Sequence, residues 1–170
     1  FSIIEDASHA FGGFYDGKPV GSCVFSDFAV FSFHPVKIVT TAEGGILCTK
    51  NKNLADKAFQ LRSHGIVKDQ SLFENQIYGP WSYEQQLLGF NYRMSEISAA
   101  LGSSQLKKLE SFVKIRSHIH TKYQNSFEKF PITINSIPNQ VKSSHHLSFF
   151  QLDNPNKEIH KKIFNSLREL

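Results

Sequence analysis

Phe31-Ser32-Phe33-His34-Pro35-Val36-Lys37-Ile38-Val39-Thr40-Thr41-Ala42-Glu43-Gly44-Gly45 is the stretch on which the reading of this 170-residue chain turns. It joins two apolar runs. Asp27 to Phe33, rich in Phe and Val, reads as one strand, and Gly44 to Thr49 reads as another. Lys37 lies between them, flanked by apolar residues and hydroxyls, and follows a strand end instead of occupying a solvated helix face. Desolvation and positive neighbours favour the uncharged amine, the form that condenses with an aldehyde or ketone to a Schiff base. The same stretch also suits a loop lysine whose stem packs on the core while its head reaches water. Pro35 fixes the loop that presents Lys37, and His34 is placed to lend it a hydrogen bond.

Upstream, Ser2 to Glu5 reads as a buried strand followed directly by Glu5-Asp6-Ala7-Ser8-His9. Ligands in α/β sheets gather at the carboxyl ends of strands, which places Asp6 for ligand work. A carboxylate there suits the ring nitrogen of pyridoxal phosphate, because a protonated nitrogen lets the ring accept electrons when an α-proton leaves. Asp6 reads equally as a helix N-cap, since Ala7 to Phe11 suits a helix. Tyr15-Asp16-Gly17-Lys18-Pro19 supplies a turn between two short runs.

Downstream, Leu54 to Ser63 carries one helical stripe that ends before Gly65. Strands alternating with helices predict an α/β sheet. Periodicity fails from Val67 to Phe90, which reads as a long loop. Ser95 is a good N-cap, and Ile97, Leu101, Leu109, Val113, Ile119, Tyr123 and Phe127 keep near-helical spacing. The spacing predicts one long helix kinked at Gly102 and ended by Pro131, with Lys107, Lys108, Lys114 and Arg116 on a solvated face. After the polar stretch Asn135 to Ser144, a strand is expected over Leu147 to Leu152. A helix opened by Asn154-Pro155 and carrying Ile159, Ile163, Phe164 and Leu167 follows.

Nineteen Lys and Arg against 15 Asp and Glu give a formal charge of +4, and the hydrophobic fraction is 40%. These values exclude disordered and collagen-like chains. No stretch approaches the roughly 18 to 20 apolar residues of a membrane-spanning helix, so no membrane is expected as partner. The chain starts inside an apolar run without methionine and stops at Leu170 inside a helical pattern, which reads as a fragment. Cys23 and Cys48 show no zinc spacing and read as reduced, buried thiols in strands of a cytoplasmic protein. His145-His146 suggests no metal site, because adjacent side chains of an extended segment point opposite ways. Phe25, Phe28, Phe31 and Phe33 read as core, and no module accompanies the basic helix that would favour nucleic acid.

Ile4-Glu5-Asp6-Ala7-Ser8-His9-Ala10, Phe31 to Lys37, Thr40 to Gly45, Arg62-Ser63-His64-Gly65 and Gly89-Phe90-Asn91-Tyr92-Arg93-Met94-Ser95-Glu96-Ile97 together resemble the DegT/StrS family of sugar-nucleotide aminotransferases. The resemblance implies a fold-type-I, pyridoxal-phosphate enzyme, a homodimer with active sites at the subunit interface. It divides the chain into part of the large cofactor domain (1–94), a linking helix (95–130) and the start of the small domain (131–170). Carried over by motif, Lys37 would form the Schiff base and move the proton, and Asp6 would pair with the pyridinium nitrogen. His9 would sit near the ring, Ser32 would bind the phosphate, and Asn91 and Arg93 would reach the phosphate of the partner subunit's cofactor. The wording around Lys37 and Ser143-Ser144-His145-His146-Leu147 is similar to members acting in pseudaminic acid biosynthesis. That implies transfer of an amino group from L-glutamate to the C4 ketone of a UDP-linked 4-keto-6-deoxy-N-acetylhexosamine. The family's phosphate-binding Gly-Thr/Ser segment and its ring-stacking residue have no counterpart in this sequence. The alternative is a catalytically inactive fragment or interaction protein of the same fold.

Overall fold

Parallel pairing of two short strands sets the direction of the fold. β1 (Ile4–Asp6), β2 (Phe14–Tyr15), β3 (Lys18–Pro19), β4 (Phe28–Ser32) and β5 (Gly45–Cys48) come first. β1 and β4 pair in parallel, with Asp6 opposite Val30, and β5 runs antiparallel on the far side of β4 with Gly45 opposite Ser32. The carboxyl ends of β1 and β4 and the start of β5 therefore share one edge of the sheet. Along β4, Ala29 and Phe31 are buried while their neighbours are half-buried, the alternation a strand imposes. The structure is a computed structural model and describes residues 1–154 and 156–169.

Ala7, Phe31, Phe33 and Val39 form the buried core, with Phe11, Val20, Cys48, Met94 and Leu109 packed around it. Phe11 meets Phe31 and Phe33 edge-on, at 4.8 and 5.4 Å between ring centres. The phenylalanine stripe is only partly core: Phe25 is exposed and lies edge-on to Tyr15. The thiols also depart from expectation. Both are reduced but half-buried, and Cys23 lies in a loop with φ of 50°, donating to the Cys48 carbonyl at 3.3 Å.

Helix α1 (Lys52–Arg62) starts two residues before its apolar stripe because Asn51 Oδ1 accepts from the N–H groups of Asn53 and Leu54. The 67–90 segment is largely irregular, as its lost periodicity implies. It contains a small antiparallel pair of β6 (Ile66–Val67) with β7 (Glu84–Gln85) and one 3-10 turn at Gln70–Leu72.

The expected single long helix is two helices, α2 (Glu96–Leu106) and α3 (Leu109–Phe127). The Ser95 hydroxyl caps α2 by accepting from Ser98 N–H. The break falls at Lys107-Lys108, not at Gly102. There Lys108 N–H turns back to the Gln105 carbonyl, and Lys108 adopts φ of −106° and ψ of 0°. Each helix has its own docking contact. A Cβ on Gly102 would lie 2.7 Å from Thr41 Cγ2, and one on Gly12 would lie 2.9 Å from Val113 Cγ2. α2 therefore seats its glycine on the loop after β4, while α3 seats Leu109 and Val113 on the turn after β1. The stripe read from spacing is mostly open: Ile97 is 85% exposed, and Leu101, Ile119 and Tyr123 are exposed as well.

Beyond α3, β8 (Ile132–Ile134) pairs antiparallel with β10 (Phe150–Leu152), a strand shorter than expected. Between them β9 (Val141–Lys142), inside a stretch read as irregular, joins the β2–β3 hairpin with Lys142 opposite Phe14. Helix α4 (Lys157–Arg168) is capped by the Asn156 side chain, not opened at Asn154. Pro155 and the terminal Leu170 lie outside the described residues.

Gly102→Ala adds roughly 1 kcal/mol of helix propensity but forces a methyl into fully buried Thr41, an overpacking that costs about 1–3 kcal/mol. Denaturant unfolding of the intact protein is expected to show net destabilisation, whereas Ser104→Ala on the exposed face of the same helix is expected to show none.

Candidate active site

Asp6 is the last residue of β1, and the chain leaves the sheet immediately after Ala7 N–H donates to the Val30 carbonyl at 2.8 Å. Turns follow, not a helix, which removes the N-cap alternative. Asp6 Oδ1 accepts from both the Ser8 hydroxyl at 2.6 Å and the Ser8 N–H at 3.1 Å. Oδ2 has no hydrogen-bond partner among the described residues and remains open to a cationic group. The Ser8 hydroxyl, and then the Ser8 amide, hold the Asp6 carboxyl below its ordinary range; the charges of His9 and Lys37 act in the same direction. Lys37 is thus near enough for its charge to act on the Asp6 carboxyl, as the weakest of these influences.

Lys37 is carried by a loop whose two ends are tied together. Phe33 N–H donates to the Gly44 carbonyl at 2.9 Å, and the Phe33 carbonyl accepts from Thr41 N–H at 2.9 Å and from the Thr40 hydroxyl at 3.0 Å. The hydroxyls beside Lys37 therefore shape the loop. Gly44 has φ of 151°, and a Cβ there would lie 2.5 Å from Thr41 Oγ1 and 2.7 Å from Met94 Cε, so only glycine fits. Ile38, Val39 and Thr41 are buried anchors, while Lys37 is half-buried at the open side. His34 braces the loop as expected: its carbonyl accepts from Lys37 N–H at 2.9 Å, its Nδ1 accepts from Val36 N–H at 3.4 Å, and its Nε2 lies 4.0 Å from Glu43.

The Ser32 hydroxyl, half-buried at the end of β4, lies at the same edge of the sheet as Asp6 and accepts from His34 N–H at 3.4 Å. His9 is exposed, and its ring lies 4.4 Å from that of His146 at an interplanar angle of 54°. His146 comes from the segment between β9 and β10. Burial, followed by the positive fields of His9, Lys37 and Arg116, pushes its pKa down and keeps its ring neutral. Asn91 and Arg93 are exposed on a separate segment, bridged to the end of α1 through Ser63 and Asn91. Asp6, His9, Ser32 and Lys37 thus share one edge of the sheet, while Asn91 and Arg93 come from the segment that carries Met94, which packs on the core and against Gly44. Among the described residues no three His, Cys, Asp or Glu side chains are grouped as a metal site would need.

The whole chain, residues 1–170, matches the DegT/DnrJ/EryC1/StrS aminotransferase family. This chain belongs to that family. It is 46% identical over 147 residues to the UDP-4-amino-4,6-dideoxy-N-acetyl-beta-L-altrosamine transaminase of Campylobacter jejuni strain 81-176, covering 85% of this chain and 36% of the relative. It is 43% identical to the transaminase of the same name from strain NCTC 11168 over a similar span. Among solved structures, Helicobacter pylori PseC, an aminotransferase of pseudaminic acid biosynthesis, superposes with a TM-score of 0.83 at 34% identity, covering 99% of this chain and 43% of that one. Spr1654 of Streptococcus pneumoniae in its PMP form gives a TM-score of 0.88 at 31% identity, with 99% and 43% covered. The fold is thus part of the aminotransferase fold of the DegT family, and the chain spans little more than a third of the curated relatives it matches.

Reading outward from motifs missed two partners of the site. Ser8 follows Asp6 by two residues, the spacing at which a side-chain carboxylate closes a turn on its own backbone, so the signal was present. Arg116, read as part of a solvated face, is half-buried and donates to the carbonyls of His145 and His146. No local signal announces that contact.

Because its folded pKa is depressed, Asp6 stays ionised above that lowered value, and any binding that needs the anion is lost only as pH falls through it. A carboxyl-carbon NMR titration is expected to find the Asp6 midpoint below the ordinary aspartate value and to see Ser8→Ala move it back up.

Proposed function

We propose that this chain is the part of a pyridoxal-phosphate-dependent sugar-nucleotide aminotransferase that carries the cofactor lysine. The observation that carries this reading is the convergence of Lys37 and Asp6 at one edge of the parallel pair, within reach of each other's charge. The side chains at this edge fit the cofactor. One open carboxylate oxygen stands ready for a ring N–H, one half-buried amine suits an aldehyde, and one hydroxyl at the strand end suits a phosphate. The buried Nδ1 of His146, unpartnered among the described residues, lies on the same side. When bound, pyridoxal phosphate supplies an aldehyde that condenses with amines and a ring that accepts the electron pair of a departing α-proton.

The roles of the chain's own residues follow. Asp6 Oδ2 would accept the ring N–H and, ionised, keep that proton in place. Lys37 Nζ would condense with the aldehyde, the carbonyl oxygen leaving as water, and would take and return the proton at the amino-bearing carbon. His9, backed by His146, would sit near the ring. The Ser32 hydroxyl would donate to the phosphate. Asn91 and Arg93 suit the phosphate of a second subunit, because amide and guanidinium donors match phosphate oxygens.

In the same reading residues 1–94 belong to the large domain, 95–130 link, and 131–170 begin the small domain. The linker consists of two helices. The exposed faces of Leu88, Tyr92 and Ile97 support a homodimer. The altrosamine transaminases and PseC support L-glutamate as donor and the C4 ketone of a UDP-linked 4-keto-6-deoxy-N-acetylhexosamine as acceptor, in pseudaminic-acid-type biosynthesis. The mechanism is ping-pong and the compartment is the cytoplasm. No helix of the described residues is long and apolar enough to cross a membrane.

Borohydride reduction of the intact protein with pyridoxal phosphate, followed by peptide mass spectrometry, tests the assignment. The expected result is one reduced adduct confined to Lys37, lost together with transamination in Lys37→Ala. An adduct spread over many lysines, or full turnover in Lys37→Ala, overturns it.

A further inference from the structure

The Ser143–Ser148 segment runs beside the site as a strap with two faces. His146 turns its ring to His9, 4.4 Å away, and every other anchor of the strap faces α3. Arg116 Nη1 donates to two successive carbonyls, those of His145 at 3.4 Å and His146 at 3.3 Å. Four residues on, one turn along the same helix face, His120 is 7% exposed and stacks on His145 at 4.3 Å and 30°. Its Nδ1 lies 3.1 Å from Ser148 Oγ. The backbone cooperates: His145 adopts φ of 50°, and its N–H donates to Ser143 Oγ at 3.0 Å, which sends adjacent histidines to opposite sides. Ser144, next in the chain before them, is buried at 2% exposure.

The geometry points to Arg116 and His120 as positioning residues of the Lys37–Asp6 site, acting through the strap to keep His146 seated on His9. The inference rests on the pyridoxal-phosphate reading. His9 is exposed, and its ring contact with His146 is what orders it. His146 in turn holds its angle because the carbonyls on either side of its own N–H are fixed by one guanidinium. Both bonds leave one nitrogen, Nη1, whose two N–H groups are fixed in the guanidinium plane, whereas the ammonium of a lysine rotates freely and holds the same two carbonyls less firmly. Burial, followed by the fields of His9, Lys37 and Arg116, pushes the His146 pKa down and so favours its uncharged ring.

The test uses the intact protein carrying histidine labelled at Cε1 with carbon-13, with and without pyridoxal phosphate. His146→Ala identifies the His9 resonance freed of its neighbouring ring. In Arg116→Met the His9 resonance is expected to move toward that position. The affinity for pyridoxal phosphate should fall about tenfold, the factor equivalent to roughly 1.4 kcal/mol. Arg116→Lys should lie between. An unmoved His9 resonance in folded Arg116→Met and Arg116→Lys overturns the inference. If Arg116→Met does not fold, His120→Phe, which keeps a ring on His145 and drops the bond to Ser148, is read by the same two outcomes. Absence of a reduced adduct on Lys37 in the unmodified protein would instead defeat the cofactor reading, while the His9 shift would still report the clamp.

Discussion

The peptide group of Phe33 is held from both sides, and the rest of the site depends on it. Its N–H goes to Gly44 and its carbonyl takes Thr41 N–H and the Thr40 hydroxyl, so the chain leaves β4, makes an excursion and returns to the same point. Each such bond contributes on the order of 1 kcal/mol, but their joint effect is geometric. They fix where Lys37 emerges relative to β1, and β1 fixes Asp6. Buried Val39 and Thr41 seal the underside, and α2 presses its glycine against Thr41 from below. An amine on the loop after β4 and a carboxylate at the end of β1 are thus presented at one edge of the sheet.

A second layer orders the open side. α3 carries no group that faces the Asp6 carboxylate, but it grips the strap that carries His146. α2 docks through Gly102 on Thr41, and α3 brings Leu109 and Val113 onto Gly12 at the turn that follows Asp6. Two short helices with separate docking contacts serve two parts of one site.

Much of this was legible in the residue order. The strands flanking Lys37, Asp6 at a strand end, the Ser95 cap and the irregular 67–90 stretch all follow from local chemistry: apolar runs, turn residues and capping side chains. What escaped were contacts decided at long range. Lys107-Lys108 carries no helix-breaking residue, so nothing local marks the break there. β9 is two residues long inside a polar stretch and exists only because the β2–β3 hairpin offers an edge. The exposed helical stripe of Ile97, Leu101 and Ile119 shows the converse: a period of 3.6 marks an apolar face but does not say what covers it.

The pairing of Phe14 with Lys142 has a consequence for how the protein comes into being. As the polypeptide leaves the ribosome, β1, β4 and the lysine loop are complete long before the strap has been synthesised, because their partners are close in sequence. The hairpin edge must wait for β9, and closing so large a loop is an entropically costly, slow step. On a growing chain the residues that present Lys37 therefore emerge well before the residue that faces His9, and that side of the sheet edge is the last to gain its neighbour.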